Sequence, residues 1–121
     1  MKIDHINIAA PWDLLQDVRE FYCHVLQLEQ GPRPDFGTRG FWLYGGGHPI
    51  VHLIESDNHY APERAPYLDH IAFEVKGLEA YVARLESFKV DYWVNDISDF
   101  NISQVFCKDP CGNGVEANIS V

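Results

Sequence analysis

The chain has 121 residues, 46 % apolar and 13 % aromatic, with a formal net charge of −9. That composition fits one globular domain with a real core and excludes a disordered chain. The nine Lys and Arg are scattered, which argues against nucleic acid or an anionic membrane surface as partner, and no apolar run approaches the ~20 residues of a membrane span.

The first segment, "KIDHINIAA" at 2–10, alternates apolar and polar residues and reads as a strand. No basic flank and apolar stretch precede it, so no signal peptide is expected. Next comes "PWDLLQDVREFYCHVLQL". Leu14, Leu15, Val18, Phe21, Tyr22, Val25 and Leu26 form one apolar stripe at helical spacing, and Pro11 suits a first turn, so a helix is predicted over 12–26. Strands follow near 28–33, 39–45 and 49–55, with "GGG" at 45–47 as the hairpin turn.

The polar, proline-bearing stretch "DNHYAPERAP" at 57–66 reads as a linker. Beyond it the order repeats. "YLDHIAFEV" at 67–75 is an Asp-His-Ile strand like the first. Leu78, Tyr81, Val82, Leu85 and Phe88 give a second stripe and a helix over 77–88. Strands follow near 90–96, 100–108 and 114–120, with "DPCGN" at 109–113 as the last turn. The chain is thus a single α+β domain of two βαβββ modules, 1–56 and 67–121. Two such sheets joined edge to edge make a cupped, barrel-like mixed sheet with the helices outside.

Alternation along a strand decides which side chains share a face. His5 and Asn7 oppose Ile6 and Ile8. His70, Ala72 and Glu74 oppose Ile71, Phe73 and Val75. His52 lies with Ile50 and Ile54, and Glu116 with Asn118 and Ser120. With the apolar sets under the helices, each half offers two donors to the concave side: His5 and His52, then His70 and Glu116. Three imidazoles and a carboxylate suit a divalent metal such as zinc, nickel, manganese or iron(II). His52, with apolar neighbours on its own face, is the weakest of the four. His24, His48 and His59 are expected to be solvated.

Three cysteines, Cys23, Cys107 and Cys111, are an odd number. With no signal peptide expected, they fit reduced thiols in the cytoplasm. "CKDPC" lacks the second Cys/His pair that a structural zinc site needs.

The segments "DHINIA", "VREFYCHVLQLE", "FWLYGGGHPIVHL", "LDHIAFEV" and "FCKDPCGNGVEAN" together resemble the vicinal oxygen chelate superfamily, which includes glyoxalase I, bleomycin-resistance proteins, fosfomycin-resistance transferases and extradiol dioxygenases. The most specific pieces are the two "DHI" strands and "DPCGNGVE". The resemblance implies metal ligands on the first, fourth, fifth and eighth strands, which are His5, His52, His70 and Glu116 here. It also implies a small-molecule substrate bound through two neighbouring oxygens, with Glu116 as the proton-moving carboxylate; Glu74, on the His70 face of its strand, is a reserve candidate. The expected activity is that of a lyase or isomerase, ahead of a dioxygenase, with a metal-free drug- or metabolite-binding protein as the alternative. Small two-module members commonly pair as two-fold dimers, which implies a homodimer with sites shared between chains. Two positions depart from the pattern. Gln27 stands where the helix often ends in glycine, and His52 where many glyoxalase I enzymes have glutamate. Trp42 or Phe41, Tyr44, Trp93 and Phe106 are candidate walls, and Arg33, Arg39 and Arg64 candidate anchors for a substrate carboxylate.

Overall fold

A computed structural model describes residues 1–60, 63 and 67–121. The chain divides into two compact units, Met1–Ala61 and Pro62–Val121, each a four-stranded mixed sheet carrying one helix.

In the first unit, β1 (Ile6–Ala10) leads into α1 (Trp12–Val25), followed by β2 (Glu29–Gly31), β3 (Gly40–Gly45) and β4 (His48–Glu55). The strand order is β1-β4-β3-β2. β1 runs parallel to β4 with Ile6 opposite Val51, and β3 and β4 form the antiparallel hairpin. Its turn uses Gly46 and Gly47, both at positive φ, as a tight hairpin requires. The stripe on α1 is Leu15, Val18, Phe21, Tyr22 and Val25, all buried. It lies over Leu43, Val51 and Leu53, which are at most 1 % exposed. Each such side chain contributes about 1.5–3 kcal/mol relative to exposure.

The second unit repeats the plan with β5 (His70–Glu74), α2 (Leu78–Ser87), β6 (Tyr92–Ile97), β7 (Ile102–Lys108) and β8 (Gly114–Ser120). Its order is β5-β8-β7-β6, with β5 parallel to β8. Tyr81 and Leu85 of α2 are buried, as are Val105, Cys107, Val115, Ala117 and Ile119 of the sheet.

Several elements are shorter than their sequence patterns suggest. β1 and β5 are edge strands, and their ladders begin at Ile6 and His70, so Asp4 and His5 precede the first ladder. β2 stops at Gly31, because Pro32 and Pro34 have no amide to donate. A 3-10 turn, Ser98–Phe100, precedes β7, with Asn101 left-handed at φ 53°. Both helices end on a left-handed residue, Gln27 (φ 56°) after α1 and Lys89 (φ 58°) after α2. Gln27 therefore adopts the conformation that glycine would take at a helix end. The Leu28 amide returns to the Tyr22 carbonyl and the Val90 amide to Leu85.

Candidate metal and substrate site

The Asp-His pairs at the head of β1 and β5 have the same local geometry. Nδ1–H of His5 donates to Asp4 at 2.7 Å, and Nδ1–H of His70 donates to Asp69 at 2.8 Å. A carboxylate on Nδ1 fixes the tautomer and the ring orientation and presents Nε2. The bond to His5 is the main reason the Asp4 carboxyl lies below its ordinary range. His48 was expected to be solvated. It is exposed, and its Nε2–H also donates to the Asp4 carbonyl at 3.1 Å, so it braces the same residue.

In the first unit His5 lies against His52. Their rings stack with centroids 3.7 Å apart and planes 10° from parallel. Trp42 stacks on the other face of the group, 4.2 Å from His52, with Phe36 6.1 Å beyond it. Trp42 pairs directly with His52 across β3 and β4. Alternation thereby assigns Trp42 to this face, while Phe41 is buried and stacks on Trp12. Nε2–H of His52 donates to the Pro49 carbonyl at 3.0 Å. Burial, and then the neighbouring His5, push His52 towards the neutral ring. Parallel imidazoles cannot both aim an in-plane lone pair at one ion ~2.0–2.1 Å from each nitrogen. His52 would have to turn before it could share a metal with His5.

The second unit brings His70 and Glu116 together directly, with Nε2 and Oε2 2.9 Å apart. Glu116 is 4 % exposed. His70 is raised above the ordinary histidine range, chiefly by its bond to Asp69 and also by Glu116. The other oxygen of Glu116 accepts from Gln104 Nε2 at 2.9 Å, and Gln104 Oε1 accepts from Asn95 Nδ2 at 2.8 Å. Phe106 meets the His70 ring edge-on at 5.5 Å, and Trp93, 59 % exposed, stacks on Phe106. The turn before β8 is held by Asp109, whose carboxylate takes the amides of Cys111 and Asn113.

The four expected donors thus fall into two pairs, one in each unit. Glu74 is exposed at the end of β5, and the carboxylates on His70 are those of Asp69 and Glu116. Among the described residues no group of three His, Cys, Asp or Glu stands ready to hold a metal ion. Neither described arginine candidate is free. Arg39 pairs with Glu55 and covers Trp12, and Arg33 donates to the Thr38 carbonyl. Arg64 lies outside the described residues. Sequence reasoning assigned no role to Gln104 or Asn95. Alternation on β7 puts Gln104 on the Phe106 face, but nothing in the sequence says that it reaches Glu116.

Two βαβββ units, each opening on an Asp-anchored histidine at its sheet edge, define a repeated-module fold built around paired polar donors. The chain belongs to the Glyoxalase/Bleomycin resistance protein/Dioxygenase superfamily, whose profile matches residues 2–117. Among curated proteins none matches it. Solved structures share the fold. A glyoxalase family protein from Bacillus anthracis is 24 % identical, with a TM-score of 0.76 over 100 % of this chain and 96 % of that one. A mutant of the fosfomycin resistance protein FosX from Listeria monocytogenes, complexed with Mn(II) and 1S,2S-dihydroxypropylphosphonic acid, is 16 % identical, with a TM-score of 0.75 over 99 % of this chain and 92 % of that one. Lactoylglutathione lyase from Agrobacterium tumefaciens is 18 % identical, with a TM-score of 0.67 over 98 % and 92 %. No helix among the described residues is long and apolar enough to cross a membrane.

Proposed function

We propose that the protein is a metal-dependent enzyme of the glyoxalase type, a lyase or isomerase acting on a small oxygenated metabolite. The observation that carries this reading is the pair of repeat-related Asp–His anchors, one of which faces a buried glutamate at 2.9 Å. His5, His70 and Glu116 would hold the ion, and His52 is available as a fourth donor once its ring turns. The donor chemistry fits zinc, nickel, manganese or iron(II), and the Mn(II) in the FosX complex supports a divalent ion in this fold. When bound, the metal supplies Lewis-acid polarisation to a substrate offering two neighbouring oxygens.

The chain's own residues supply the rest. Asp4 and Asp69 keep each Nδ1 protonated and so hold the rings in place. Glu116 is the carboxylate positioned to accept and return a proton at Oε2, as general acid–base work requires. Phe106, with Trp93 stacked on it, forms an apolar wall beside His70. Glu116, a buried carboxylate against the His70 ring, supports proton-transfer chemistry ahead of dioxygenation. A phosphonate substrate is disfavoured, because both described arginine candidates are already engaged. Each unit contributes two donors, so a site of three or four must draw on both units. Pairing of two chains as a homodimer with shared sites is the assembly we favour.

A second reading has its own support. The His5–His52–Trp42 stack, with His52 Nε2–H committed to Pro49, suits a metal-free platform for a planar drug or metabolite. Elemental analysis of protein purified without added metal or chelator separates the two. The enzyme reading expects near-stoichiometric transition metal, or a thermal upshift on adding Zn(II), Ni(II), Mn(II) or Fe(II). Absence of both leaves the binding-protein reading.

A further inference from the structure

We infer that Gln104 and Asn95 are positioning residues for Glu116. They form a directional relay across the second sheet that fixes one carboxylate oxygen and leaves the other to face His70. The relay's geometry stands on its own, whereas its bearing on metal binding rests on the function proposed above.

The direction of the relay follows from donor chemistry. An ionised carboxylate only accepts, so the Gln104 amide must turn its NH2 towards Glu116, and the bond runs from Nε2 to Oε1 at 2.9 Å. That choice points Gln104 Oε1 the other way, where it can only accept. Asn95 Nδ2 supplies the donor at 2.8 Å. Asn95 and Gln104 sit directly opposite each other on β6 and β7, and Gln104 is the diagonal neighbour of Glu116, which pairs with Phe106. Three adjacent strands therefore hand one hydrogen-bond polarity towards a buried anion. Exposure falls along the way. Asn95 is exposed, Gln104 half-buried and Glu116 buried, so the last bond is charge-assisted and poorly screened. With Oε1 held, the carboxylate cannot swing, and Oε2 stays on the His70 side. Outer partners of this kind set ligand orientation, and their loss typically costs ten- to a hundredfold in metal affinity. The bland alternative is an ordinary cross-strand amide pair that contributes only to the sheet.

The test uses the full chain. Metal affinity is titrated for the unmodified protein, Gln104→Met, Asn95→Ala and the double variant. The probe is whichever of Zn(II), Ni(II), Mn(II) or, failing these, Fe(II) the unmodified protein binds. Gln104→Met is expected to lose about tenfold or more, Asn95→Ala less, and the double variant no more than Gln104→Met alone, because Asn95 acts only through Gln104. A Gln104→Met protein that binds within twofold of the unmodified one overturns the inference, and so does a double loss equal to the product of the single losses. If the unmodified protein binds none of these ions, Fe(II) included, the metal reading has failed instead. The relay is then decided in metal-free protein by urea unfolding of Gln104→Met, Glu116→Gln and their combination. Non-additive midpoint shifts support it, and additive shifts overturn it. Gln104→Ala takes the place of Gln104→Met if circular dichroism shows the latter unfolded.

Discussion

The four candidate donors are not equivalent side chains, because their second contacts differ. His5 and His70 each spend Nδ1 on an adjacent aspartate, and Glu116 spends Oε1 on Gln104. His52 spends Nε2 on a backbone carbonyl and its ring face on Trp42 and His5. Metal affinity should therefore fall by a hundredfold or more in His5→Ala, His70→Ala and Glu116→Ala, and by tenfold or less in His52→Ala. Titration of the four variants checks the order, and a His52→Ala protein that loses binding while Glu116→Ala keeps it would reverse the assignment. Away from the donors, Cys107 carries a separate prediction. Burial pushes its thiol up to about 11, the neighbouring Tyr81 hydroxyl partly opposes that, and the Asp109 charge adds to it. The folded protein thus keeps the thiol neutral where the unfolded chain, near 9, begins to ionise. The resulting stabilisation is complete below pH ~9 and is lost as pH rises from about 9 to 11, amounting to about 2–3 kcal/mol at most. Urea midpoints measured from pH 8 to 10.5 should fall more steeply for the unmodified protein than for Cys107→Ala. Parallel slopes would show that Cys107 is not a source of the loss.

At the scale of elements, the strand pair β5–β8 carries the clearest constraint. Gly114 sits opposite His70 in the parallel ladder. A β-carbon there would press on the Asp69 carbonyl oxygen and lie 2.9 Å from the His70 Cβ. The neighbours are mainly backbone, so they cannot turn aside, and the strands would have to part at the Asp-His anchor. Gly114→Ala should cost about 1–3 kcal/mol and weaken metal binding as well, which a urea midpoint and a metal titration on the same variant would read together. A variant as stable as the unmodified chain would show that this approach is not tight. Gly114 also illustrates how legible the fold was. The two Asp-His-Ile strands, the helical stripes and the Gly-rich turns gave the βαβββ repeat, because period and turn chemistry act locally along the chain. They overran strand ends at 2–5 and 67–69, since a ladder ends where its partner ends, not where alternation ends. Alternation offered His52 and Glu116 to the concave face, but it did not choose between Trp42 and Phe41 as the neighbouring wall and gave Gln104 no role. It could not show that His52 would stack on His5 and bond to Pro49, or that His48 would reach back to Asp4. Those contacts depend on rotamers and on strands distant in sequence. Arg39 is not the free charge expected of it for the same reason, because its partner Glu55 is on β4.

For the whole molecule the question is where a complete site comes from. Each unit buries its own core under its own helix and presents one pair of donors. Among the described residues no group of three stands together, and a divalent ion held by protein alone through two donors would be weakly bound, since zinc sites use three or four. On the metal-dependent reading proposed above, three or four donors require the first unit's pair and the second unit's pair together, and we propose two routes to that, within one chain or between two. Joining two chains gives a closed two-fold assembly with two equivalent sites, the commonest symmetry of homo-oligomers. The two routes make opposite predictions for a mixing experiment. His5→Ala damages only the first unit's pair and Glu116→Ala only the second unit's. The two variant proteins, each deficient in metal binding, are partly unfolded together in urea and refolded as a mixture. If sites are shared, a heterodimer carries one site with both lesions and one site with none. With random pairing about half the dimers are mixed, so about a quarter of the sites are intact and recover full affinity. If each site forms within one chain, every site keeps its lesion and mixing restores nothing. Sedimentation of the unmodified protein closes the test, because a monomer that binds metal stoichiometrically would assign the site to a single chain.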